Sequence, residues 1–372
     1  MRIGVDARLF YYQPAGIGLY TRRLLTAMAG LDTANDYVVL QNRRDRLPLV
    51  SAPNFVRRGL WTPPHHRLEQ WTLPLELTFL ELGMGMGLDL LHSPDFIPPL
   101  RWRGRSVITV MDLAFLRFPH LLTDESRRYY SQVTKAIARA DAILAISDST
   151  RRDLVGLLSA RPEKITVTYL AADPAYQPVV DSARLARVRE AYGLSAETIL
   201  FVGTLEPRKD LPTLLRAFAR ARRSRPGLRL AVAGRQGWLC EPVFDLVREL
   251  QLGEAVRFLG PVPADDLPAL YSLATLFVLP SLYEGFGMPV LEAMACGTPV
   301  VCTDVSSLPE IAGDAALLVP VGDPQALADA MERCLNDDDL RAEMSRRGLR
   351  QAARFSWAET ARKTLGVYTS LA

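Results

Sequence analysis

The chain has 372 residues, of which 49% are hydrophobic and 23% charged, and its net charge is +3. This length predicts two domains of ordinary size, and the composition excludes a disordered or fibrous protein. The weak net charge argues against a nucleic-acid partner, and no stretch of the sequence has the uncharged apolar length that a membrane-spanning helix needs.

Cysteine usage indicates the cellular compartment. The chain contains no Cys-x-x-Cys pair, and none of its cysteines is next to a histidine. This pattern predicts reduced structural thiols in a cytoplasmic protein. The sequence opens directly on a strand-like segment, Met1–Asp6, so we expect no signal peptide. The four cysteines are Cys240, Cys296, Cys302 and Cys334.

Charge is distributed unevenly. Residues 1–178 carry 22 Lys and Arg against 17 Asp and Glu, whereas the remaining residues carry 22 against 24. Arginines of the first half cluster near Trp61, Trp71 and Trp102, which suits a peripheral contact with anionic lipid at the inner face of a membrane. Ordinary solvated loops are the simpler alternative. The arginines are Arg43, Arg44, Arg46, Arg57, Arg58, Arg101, Arg103 and Arg105.

Apolar strands and amphipathic helices alternate along the first half, the pattern of a parallel α/β sheet. The predicted strands are Ile3–Asp6, Tyr37–Leu40, Leu88–His92, Val107–Val110, Ala142–Ala145 and Ile165–Thr168. The predicted helices are Ile17–Ala29, Arg67–Phe79, Glu125–Arg139 and Thr150–Ser159.

After a candidate linker at Ala172–Pro178 the alternation starts again, and a helical tail runs from about Pro324. Two successive α/β units predict two sheets that face each other across a cleft, where ligands commonly bind. The predicted strands of the second half are Thr198–Val202, Arg229–Ala233, Ala255–Phe258, Ala274–Leu279, Pro299–Cys302 and Ala316–Val319.

The most informative stretch is residues 284–292, Glu-Gly-Phe-Gly-Met-Pro-Val-Leu-Glu, which follows the predicted strand Ala274–Leu279. The pattern predicts a strand, a tight turn and a helix, and ligands collect at the carboxyl ends of such strands. Amides at 286–288 and the positive end of the helix dipole would face a phosphate. Glu284 and Glu292 would bracket the ligand.

A second polar loop, Gly203–Asp210, follows the first strand of the second half. Arg208 offers a bidentate donor and Lys209 a point charge, and together they can neutralise a diphosphate without a metal. A helix-capping loop with two exposed cations is the alternative. The Glu284–Glu292 unit in the same half favours the phosphate interpretation.

Weaker signals lie in the first half. Gly16-Ile17-Gly18 opens the first helix, where it forms either a plain tight turn or a backbone approach to a ligand. His92 ends a strand and Asp112 follows another, so both are candidates for the same edge of the sheet. The other histidines, in Pro-rich loops, are expected to be incidental; they are His65, His66 and His120.

Two further segments need an interpretation. Asp337–Asp339 contains an Asp-x-Asp, but its helical surroundings favour a helix start, and we expect no metal site. Leu82–Leu88 is apolar and glycine-rich, which suits a loop over the core or, as an alternative, a contact for an apolar acceptor.

Taken together, these motifs resemble the retaining glycosyltransferases of family 4, the group 1 glycosyl transferases of GT-B fold, over almost the whole chain. Met1–Leu25 is similar to that family's N-terminal strand, glycine loop and helix, and Phe201–Asp210 to the diphosphate loop of its mannosyltransferase-like members. Val232–Trp238 fits the same subgroup. Ser281–Val301 is similar to the family's Glu-x7-Glu block, which is the most specific match.

The resemblance implies an α/β protein with two Rossmann-like parallel-sheet domains facing across a cleft. Residues 1–178 would form the acceptor-side domain and residues 179–355 the nucleotide-sugar domain. Phe355-Ser356-Trp357 and the residues that follow, 356–372, resemble the helix that crosses back to the first domain.

The resemblance also implies a site. Glu284 would hold the hydroxyls of the donor sugar, Glu292 those of the ribose, and Arg208 and Lys209 the diphosphate. Glu284, Lys209 and Arg208 would be the catalytic residues. The other implied donor-binding residues are Gly16, Gly203, Thr204, Gly285, Phe286, Gly287 and Met288.

The chain departs from the family's pattern at two positions. Thr204 stands where arginine is frequent, so Arg208 and Lys209 must supply the charge. Met111 stands where a histidine usually precedes Asp112, and a thioether cannot donate a hydrogen bond. Either His92 or a backbone carbonyl replaces that histidine, or activity on the usual donor is weak.

We therefore expect a retaining, metal-independent hexosyltransferase of polysaccharide biosynthesis that needs no cofactor. Mannose from GDP-mannose is the favoured donor, UDP-linked sugars stay open, and the acceptor is a glycan or lipid-linked glycan. Preorganised positive charge on the leaving diphosphate is expected to contribute most to catalysis. The alternatives are a GT-B nucleotide-sugar epimerase and a non-catalytic nucleotide-sugar-binding partner protein.

Overall fold

The computed structural model describes residues 1–13, 16–84, 87–122 and 124–372. They form two compact units, the first made of Met1–Leu170 and Ser356–Ala372 and the second of Ala171–Phe355. The first unit therefore contains both ends of the chain. Residue 178, where the sequence analysis ends the first domain, lies in the second unit.

The first unit is built on a parallel sheet. Its strands are β1 (Arg2–Asp6), β2 (Asp36–Asn42), β3 (Phe55–Leu60), β4 (Leu90–Ser93), β5 (Arg105–Val110), β6 (Ala142–Ala145) and β7 (Ile165–Val167). Within the described residues they lie in the order β3-β2-β1-β4-β5-β6-β7, with every neighbouring pair parallel. Every residue of β4 and β6 is buried, as expected of strands covered on both faces.

Helices cover this sheet, and the last of them comes from the C-terminal end of the chain. They are α1 (Ile17–Ala29), α2 (Glu69–Met84), α3 (Ala114–Arg117), α4 (Asp124–Tyr130), α5 (Val133–Arg139), α6 (Asp148–Leu158) and, in the same unit, α15 (Trp357–Ser370). The hydroxyl of Ser356 caps α15 by accepting from the amide of Glu359. Thr360 Oγ1 then donates to the carbonyl of Tyr169 at 2.5 Å, which fixes α15 in this unit.

The sequence pattern does not predict β3, and it predicts one continuous helix where the structure has α4 and α5. β3 is an edge strand that buries only its two ends, Phe55 and Leu60, and carries Arg57, Arg58 and Gly59 between them. This pattern lacks the apolar alternation on which strand prediction depends. The single helix predicted over 125–139 is interrupted between α4 and α5.

The second unit repeats the architecture. Its strands are β8 (Thr198–Val202), β9 (Arg229–Ala233), β10 (Val256–Gly260), β11 (Leu276–Leu279), β12 (Val300–Thr303) and β13 (Ala316–Val319). They form a parallel sheet in the order β10-β9-β8-β11-β12-β13. The predicted α/β class, with two Rossmann-like parallel sheets, is therefore confirmed.

Helices again connect the strands, and an amphipathic pattern places their apolar sides on the sheet. They are α7 (Ser182–Tyr192), α8 (Leu211–Ser224), α9 (Glu241–Glu249), α10 (Leu267–Leu273), α11 (Met288–Ala295), α12 (Leu308–Ala312), α13 (Pro324–Asn336) and α14 (Asp338–Ala352). All four cysteines are free and buried in this unit. This agrees with the expectation of reduced structural thiols.

Candidate functional site

Two loops meet at the carboxyl edge of the sheet in the second unit. Gly203–Asp210 follows β8, and residues 280–287 lead from β11 into α11. The amide of Leu282 donates to the carbonyl of Arg208 at 2.8 Å and so joins the two loops. The strand, tight turn and helix predicted around Glu284 are therefore present, and they lie beside the predicted cationic loop.

Glu284 lies at the centre of a buried charge network. Its Oε1 accepts hydrogen bonds from Lys209 Nζ at 2.5 Å and Ser281 Oγ at 2.6 Å, and its Oε2 lies 3.3 Å from Arg208 Nη1. Arg208 Nη2 also binds Glu206 Oε1 at 2.6 Å. Burial alone would raise the pKa of Glu284, but the charges of Lys209 and Arg208 outweigh it and hold the pKa at about 2. Glu284 is therefore ionised at neutral pH.

Both cations of this loop, Arg208 and Lys209, form ion pairs within the protein. The alternative of a helix-capping loop with two exposed cations is therefore wrong. The side chain of Lys209 is only 9% exposed and that of Arg208 20%. A buried amine needs a partner because its loss of water is costly, and Glu284 is that partner. A diphosphate that binds here must therefore share Lys209 and Arg208 with Glu284 and Glu206.

Two serines that the sequence analysis overlooked hold the backbone of Glu284. Ser306 Oγ accepts from the amide of Glu284 at 2.8 Å, and Ser307 Oγ donates to its carbonyl at 2.9 Å. Ser307 is fully buried. Both serines follow β12, so they belong to the same edge of the sheet. Their signal in the sequence is only a polar pair after a strand.

A glycine turn connects Glu284 to α11. Gly287 has a φ of +94°, and a Cβ atom there would lie 2.6 Å from Leu308 Cδ2, so this position requires glycine. Phe286 is buried against Phe355, with ring centroids 5.9 Å apart, and anchors the turn. Pro289 has no N–H, and the amides of Val290 and Leu291 donate to the carbonyl of Gly287 at 2.9 and 3.3 Å, so in the first turn of α11 it is the amide of Met288 that has no acceptor within the helix. Together with the helix dipole this amide favours an anion at this end.

Glu292 lies one turn inside α11 and is held by two tyrosines. The hydroxyl of Tyr271 donates to its Oε2 at 2.9 Å, and the hydroxyl of Tyr176 also hydrogen-bonds it. Burial raises the pKa of Glu292 to about 7, although both hydroxyls favour its ionised form. Glu292 can therefore change its protonation state near neutral pH, in contrast to Glu284. Neither tyrosine belongs to a motif that the sequence predicts to be functional.

Gly203 and Thr204 belong to a loop that packs backbone to backbone on its neighbour. A Cβ atom at Gly234, whose φ is +146°, would lie 1.8 Å from the carbonyl oxygen of Gly203. The amide of Leu205 donates to the carbonyl of Arg235, and the amide of Gly237 to that of Leu205, each at 2.9 Å. The loop after β9 thus fixes the loop that carries Arg208 and Lys209.

In the first unit, Gly16 precedes α1 with a φ of +56°, and Pro14 and Ala15 before it lie outside the described residues. Met111 and Asp112 follow β5 and are half-buried. Asp112 Oδ1 accepts from the amide of Ala114 at 3.0 Å. The donor contacts expected of Gly16, Met111 and Asp112 stay predictions.

His92 does not line a ligand site, contrary to the expectation. It is fully buried, its Nδ1 lies 2.6 Å from the hydroxyl of Tyr368, and its Nε2 lies 2.7 Å from Thr109 Oγ1. Burial lowers the pKa of His92 to about 3, so the ring is neutral. His92 therefore holds α15 on the sheet and cannot replace the histidine missing at Met111.

A second charge network lies at the carboxyl edge of the sheet in the first unit. Arg8 is 2% exposed; its Nη2 binds Asp6 Oδ2 at 2.7 Å and Glu69 Oε1 at 2.6 Å. Its Nη1 donates to the carbonyl of Thr62 at 2.8 Å. No sequence motif predicts this network, because its members are single residues of separate segments.

His65, expected to be incidental, extends this network. Its amide donates to Glu69 Oε2 at 2.8 Å, its Nε2 is hydrogen-bonded to Asp95 Oδ2, and the hydroxyl of Tyr129 donates to the same oxygen at 3.0 Å. The φ of His65 is +62°, an unusual value for a histidine. A cavity of about 670 Å³ opens here; its lining includes His65, His66, Arg67, Glu69, Gln70, Tyr129 and Tyr130.

Within the described part of the chain, no group of three or more His, Cys, Asp or Glu side chains is placed to hold a metal ion. Asp337 caps α14 by accepting from the amide of Leu340 at 2.8 Å, which confirms the helix start predicted at the Asp-x-Asp. Among the same described residues, no helix has the length and hydropathy to cross a membrane. Gly85 and Met86, in the apolar segment Leu82–Leu88, lie outside the described residues.

Similar proteins were found by sequence and by structure. The chain is 36% identical to O-antigen chain mannosyltransferase B of Escherichia coli over 283 residues, which are 75% of this chain and 74% of that protein. It is 31% identical to D-inositol 3-phosphate glycosyltransferase of Saccharomonospora viridis over 392 aligned positions, covering 95% and 88% of the two chains. Sucrose-phosphate synthase from Thermosynechococcus elongatus superposes with a TM-score of 0.80 at 22% identity, covering 100% of this chain and 99% of the other.

Two family models match the chain, one to each half. The Glycosyltransferase Family 4 model matches residues 14–176, and the model of glycosyl transferases group 1 matches residues 187–351. Together they cover most of the chain, and the two parallel sheets agree with the GT-B fold of the structural neighbour. The chain therefore belongs to glycosyltransferase family 4, the glycosyl transferases group 1, and is a hexosyltransferase of GT-B fold.

Proposed function

We propose that the protein transfers mannose from GDP-mannose to a hydroxyl group of a glycan or lipid-linked glycan, with retention at the anomeric carbon. The similarity to an O-antigen chain mannosyltransferase supports the choice of sugar. The observation that carries the proposal is Glu284, which is held ionised between Lys209 and Arg208 beside the N-terminus of α11.

The donor diphosphate binds between the cationic loop and α11. Lys209 Nζ has three protons and uses one on Glu284 Oε1, so it can donate to a phosphate oxygen without giving up that bond. The helix N-terminus adds backbone donors and positive potential on the other side. The ribose hydroxyls bind to Glu292, whose carboxyl group already accepts from hydroxyls in this structure.

Transfer breaks the bond between the anomeric carbon and the diphosphate oxygen while the acceptor oxygen bonds to that carbon on the same face. The proton of the acceptor hydroxyl passes to the departing diphosphate. Negative charge grows on the leaving oxygen, and the fixed donors of Lys209, Arg208 and α11 are placed to stabilise it, the kind of effect that is worth about 3–4 kcal/mol per donor in other enzymes. No divalent metal is required by this charge balance.

The acceptor is proposed to bind in the cavity beside His65 in the first unit. Tyrosine rings, two glutamines and charged side chains line it, the mixture that sugar hydroxyls and ring faces require. Asp95 and His65 are fixed to each other there, so they can orient a hydroxyl group.

A thermal-shift series separates the donor candidates. GDP-mannose, UDP-glucose, GDP and UDP are added to the purified protein, because a ligand that binds only the folded state raises the melting temperature. We expect the guanine pair to give the larger shifts. Turnover with the preferred donor and a mannan-oligosaccharide acceptor is then measured with and without EDTA, and we expect it to persist. A larger shift with UDP-glucose, or loss of activity that magnesium restores, would contradict the proposal.

A further inference from the structure

Helix α2 of the first unit turns an apolar face to solvent. The exposed side chains recur three and four residues apart, so they lie on one side of the helix. They are Leu68 just before the helix, Trp71, Leu75, Phe79 and Leu82, with exposed fractions of 55%, 55%, 60%, 71% and 72%. The opposite side of the same helix buries Leu73 and Leu77 in the core. A surface helix normally buries its apolar stripe and exposes a polar one, and α2 exposes a second apolar stripe.

The charged residues of α2 are engaged with the protein and leave this face uncharged. Glu69 pairs with Arg8. Glu76 accepts from the amides of Trp61 at 2.5 Å and Thr62 at 3.0 Å. Glu81 accepts from the indole of Trp102 and the amide of Leu88. These glutamates are the three charged residues that the sequence places in the helix.

Cations flank the apolar face on both sides. The guanidinium of Arg43 lies 3.4 Å from the ring centre of Trp61, and that of Arg101 lies 3.2 Å from the ring centre of Trp71. Both tryptophans are more than half exposed. Each indole thus combines an apolar ring with a stacked positive charge, a combination that suits the boundary between lipid headgroups and acyl chains.

A hollow lies on each side of α2. One, of about 730 Å³, is lined by apolar side chains that include Trp61, Leu75 and Phe79. The lining of the other, of about 470 Å³, includes Arg101, Arg103 and Glu81. More exposed arginines lie along the same loops and the edge strand β3; they are Arg44, Arg46 and Arg58.

We propose that the exposed face of α2 docks the first unit on an anionic lipid bilayer. Leu75 and Phe79 enter the boundary of the acyl chains, and the flanking arginines contact lipid phosphates. The helix lies in the plane of the surface, since α2 has 16 residues and falls short of a span. Charge complementarity selects lipid over a second copy of the chain, because two copies of this face would bring the same arginines together. The docking is independent of the donor assignment.

Vesicle co-sedimentation of the full chain tests the proposal. The probes are vesicles of phosphatidylglycerol mixed with phosphatidylcholine, and vesicles of phosphatidylcholine alone. Leu75→Glu/Phe79→Glu, the ridge variant, places negative charges on the exposed apolar face of α2. Arg43→Glu/Arg101→Glu, the arginine variant, reverses the charge of two residues that flank this face. Leu157→Glu and Arg161→Glu are matched controls, since Leu157 is exposed on α6 and Arg161 on the loop after it. Circular dichroism confirms that each variant is folded.

We expect binding to the anionic vesicles that weakens as salt is raised, because headgroup attraction is screened. The ridge variant should lose at least about tenfold in partition coefficient, and the arginine variant about 30-fold or more. The two controls should bind as the wild type does. The proposal is overturned by any of three results: no binding to anionic vesicles, equal binding to neutral ones, or ridge and arginine variants that bind like the controls. It is also overturned if the lipid-free protein forms a dimer that Leu75→Glu/Phe79→Glu abolishes, since the face then binds a second copy.

Discussion

Both units assemble a buried charge network at the carboxyl edge of a parallel sheet, but they draw on the chain in different ways. In the second unit, Arg208 and Lys209 are neighbours on one loop, and Glu284 comes from one other loop. In the first unit, Arg8, Glu69 and Asp95 come from three separate segments and are linked through His65. The first kind of site is visible in a sequence, whereas the second needs the fold.

The two networks also differ in what holds their charges. Lys209 and Glu284 form a buried ion pair whose side chains are only 9% and 8% exposed. In the first unit His65 lines a cavity, and the side chains of His65 and its partner Asp95 are 43% and 18% exposed. A substitution in the network of the second unit should therefore change both the free energy of unfolding and turnover. A substitution in the network of the first unit should change mainly the KM for the acceptor.

The largest effect is expected from Lys209→Ala. Loss of the amine removes a donor to the leaving diphosphate and leaves Glu284 with Arg208 as its remaining cation. Turnover should fall by roughly 10²–10³-fold. The free energy of unfolding should fall by about 2–4 kcal/mol, because breaking a buried ion pair strands a charge. Rate measurements and chemical denaturation check the two effects.

A matched variant separates the two roles of Lys209. In Lys209→Met/Glu284→Gln both charges of the pair are removed and the side-chain volumes are kept. Most of the lost stability should return, whereas turnover should stay low. If Lys209→Ala has the turnover and the free energy of unfolding of the wild type, the network of Lys209, Arg208 and Glu284 contributes neither to catalysis nor to stability, and the assignment is wrong.

The next effect concerns Glu292, whose pKa of about 7 lies above the 4.5 of a free glutamic acid. Between these values the folded protein binds a proton that the unfolded chain has lost, so stability falls as pH rises from about 4.5 to 7. Glu292→Gln should remove that decline and raise stability at pH 8 by up to roughly 3 kcal/mol. It should also weaken donor binding, since the carboxylate for the ribose is lost.

Tyr271→Phe is the control for Glu292. It removes a hydroxyl group that favours the ionised carboxylate, so the pKa of Glu292 should rise further and the decline of stability should extend to higher pH. Denaturation curves at several pH values, together with the KM for the donor, measure both variants. A Glu292→Gln protein whose stability still falls between pH 4.5 and 7 would show that another group titrates.

Strand bounds are predicted well in both units, whereas the functional residues are predicted better in the second. The predicted bounds of β6, β8, β9 and β13 agree with the structure to the residue, because each of these strands is a compact apolar run. The site of the second unit was found because its charges are adjacent in two short motifs. β3 was missed because its arginines hide the strand pattern, and His65 was dismissed because nothing near it in sequence suggests a partner 30 residues away.

His92 shows the opposite error. A histidine at a strand end beside polar residues suggested a ligand contact, yet Tyr368 and Thr109 occupy both of its ring nitrogens. Tyr368 belongs to α15, hundreds of residues later in the chain. Sequence position gives the edge of the sheet on which a side chain lies, but the packing of distant elements decides whether it reaches solvent.

The His65–Asp95 pair should give a smaller and more selective effect. Asp95→Asn and His65→Ala should raise the KM for the acceptor several-fold and leave the KM for the donor unchanged. Burial opposes protonation of His65, but Asp95 outweighs it and raises the pKa of His65 above its usual 6.5. The pair therefore stabilises the fold below about pH 6.5 and loses this effect as pH rises through the folded pKa. Because His65 is partly exposed, the change should be under about 1 kcal/mol.

Steady-state kinetics, with the donor and the acceptor concentrations varied in turn, give the two KM values separately for Asp95→Asn and His65→Ala. His66→Ala serves as the control, since His66 lines the same cavity, whereas the histidine hydrogen-bonded to Asp95 is His65. Equal changes of donor and acceptor KM in Asp95→Asn would indicate a structural role for the pair, and the acceptor assignment of the first unit would fail.

The smallest effect is expected at Met111, which follows β5 where the family usually has histidine. Met111→His places a hydrogen-bond donor beside Asp112 at the carboxyl edge of the first sheet. Because His92 is buried and fully bonded, it does not already fill this role, so the new imidazole should add a contact to the donor sugar. One neutral hydrogen bond contributes about 0.5–1.5 kcal/mol, so turnover at low donor concentration should rise by up to about tenfold. Met111→Leu, which keeps the volume and adds no donor, should change little. If Met111→His is no faster than Met111→Leu, this edge of the first unit does not contact the donor sugar. The second unit would then supply the donor site alone, and the first unit would supply only residues of the acceptor site.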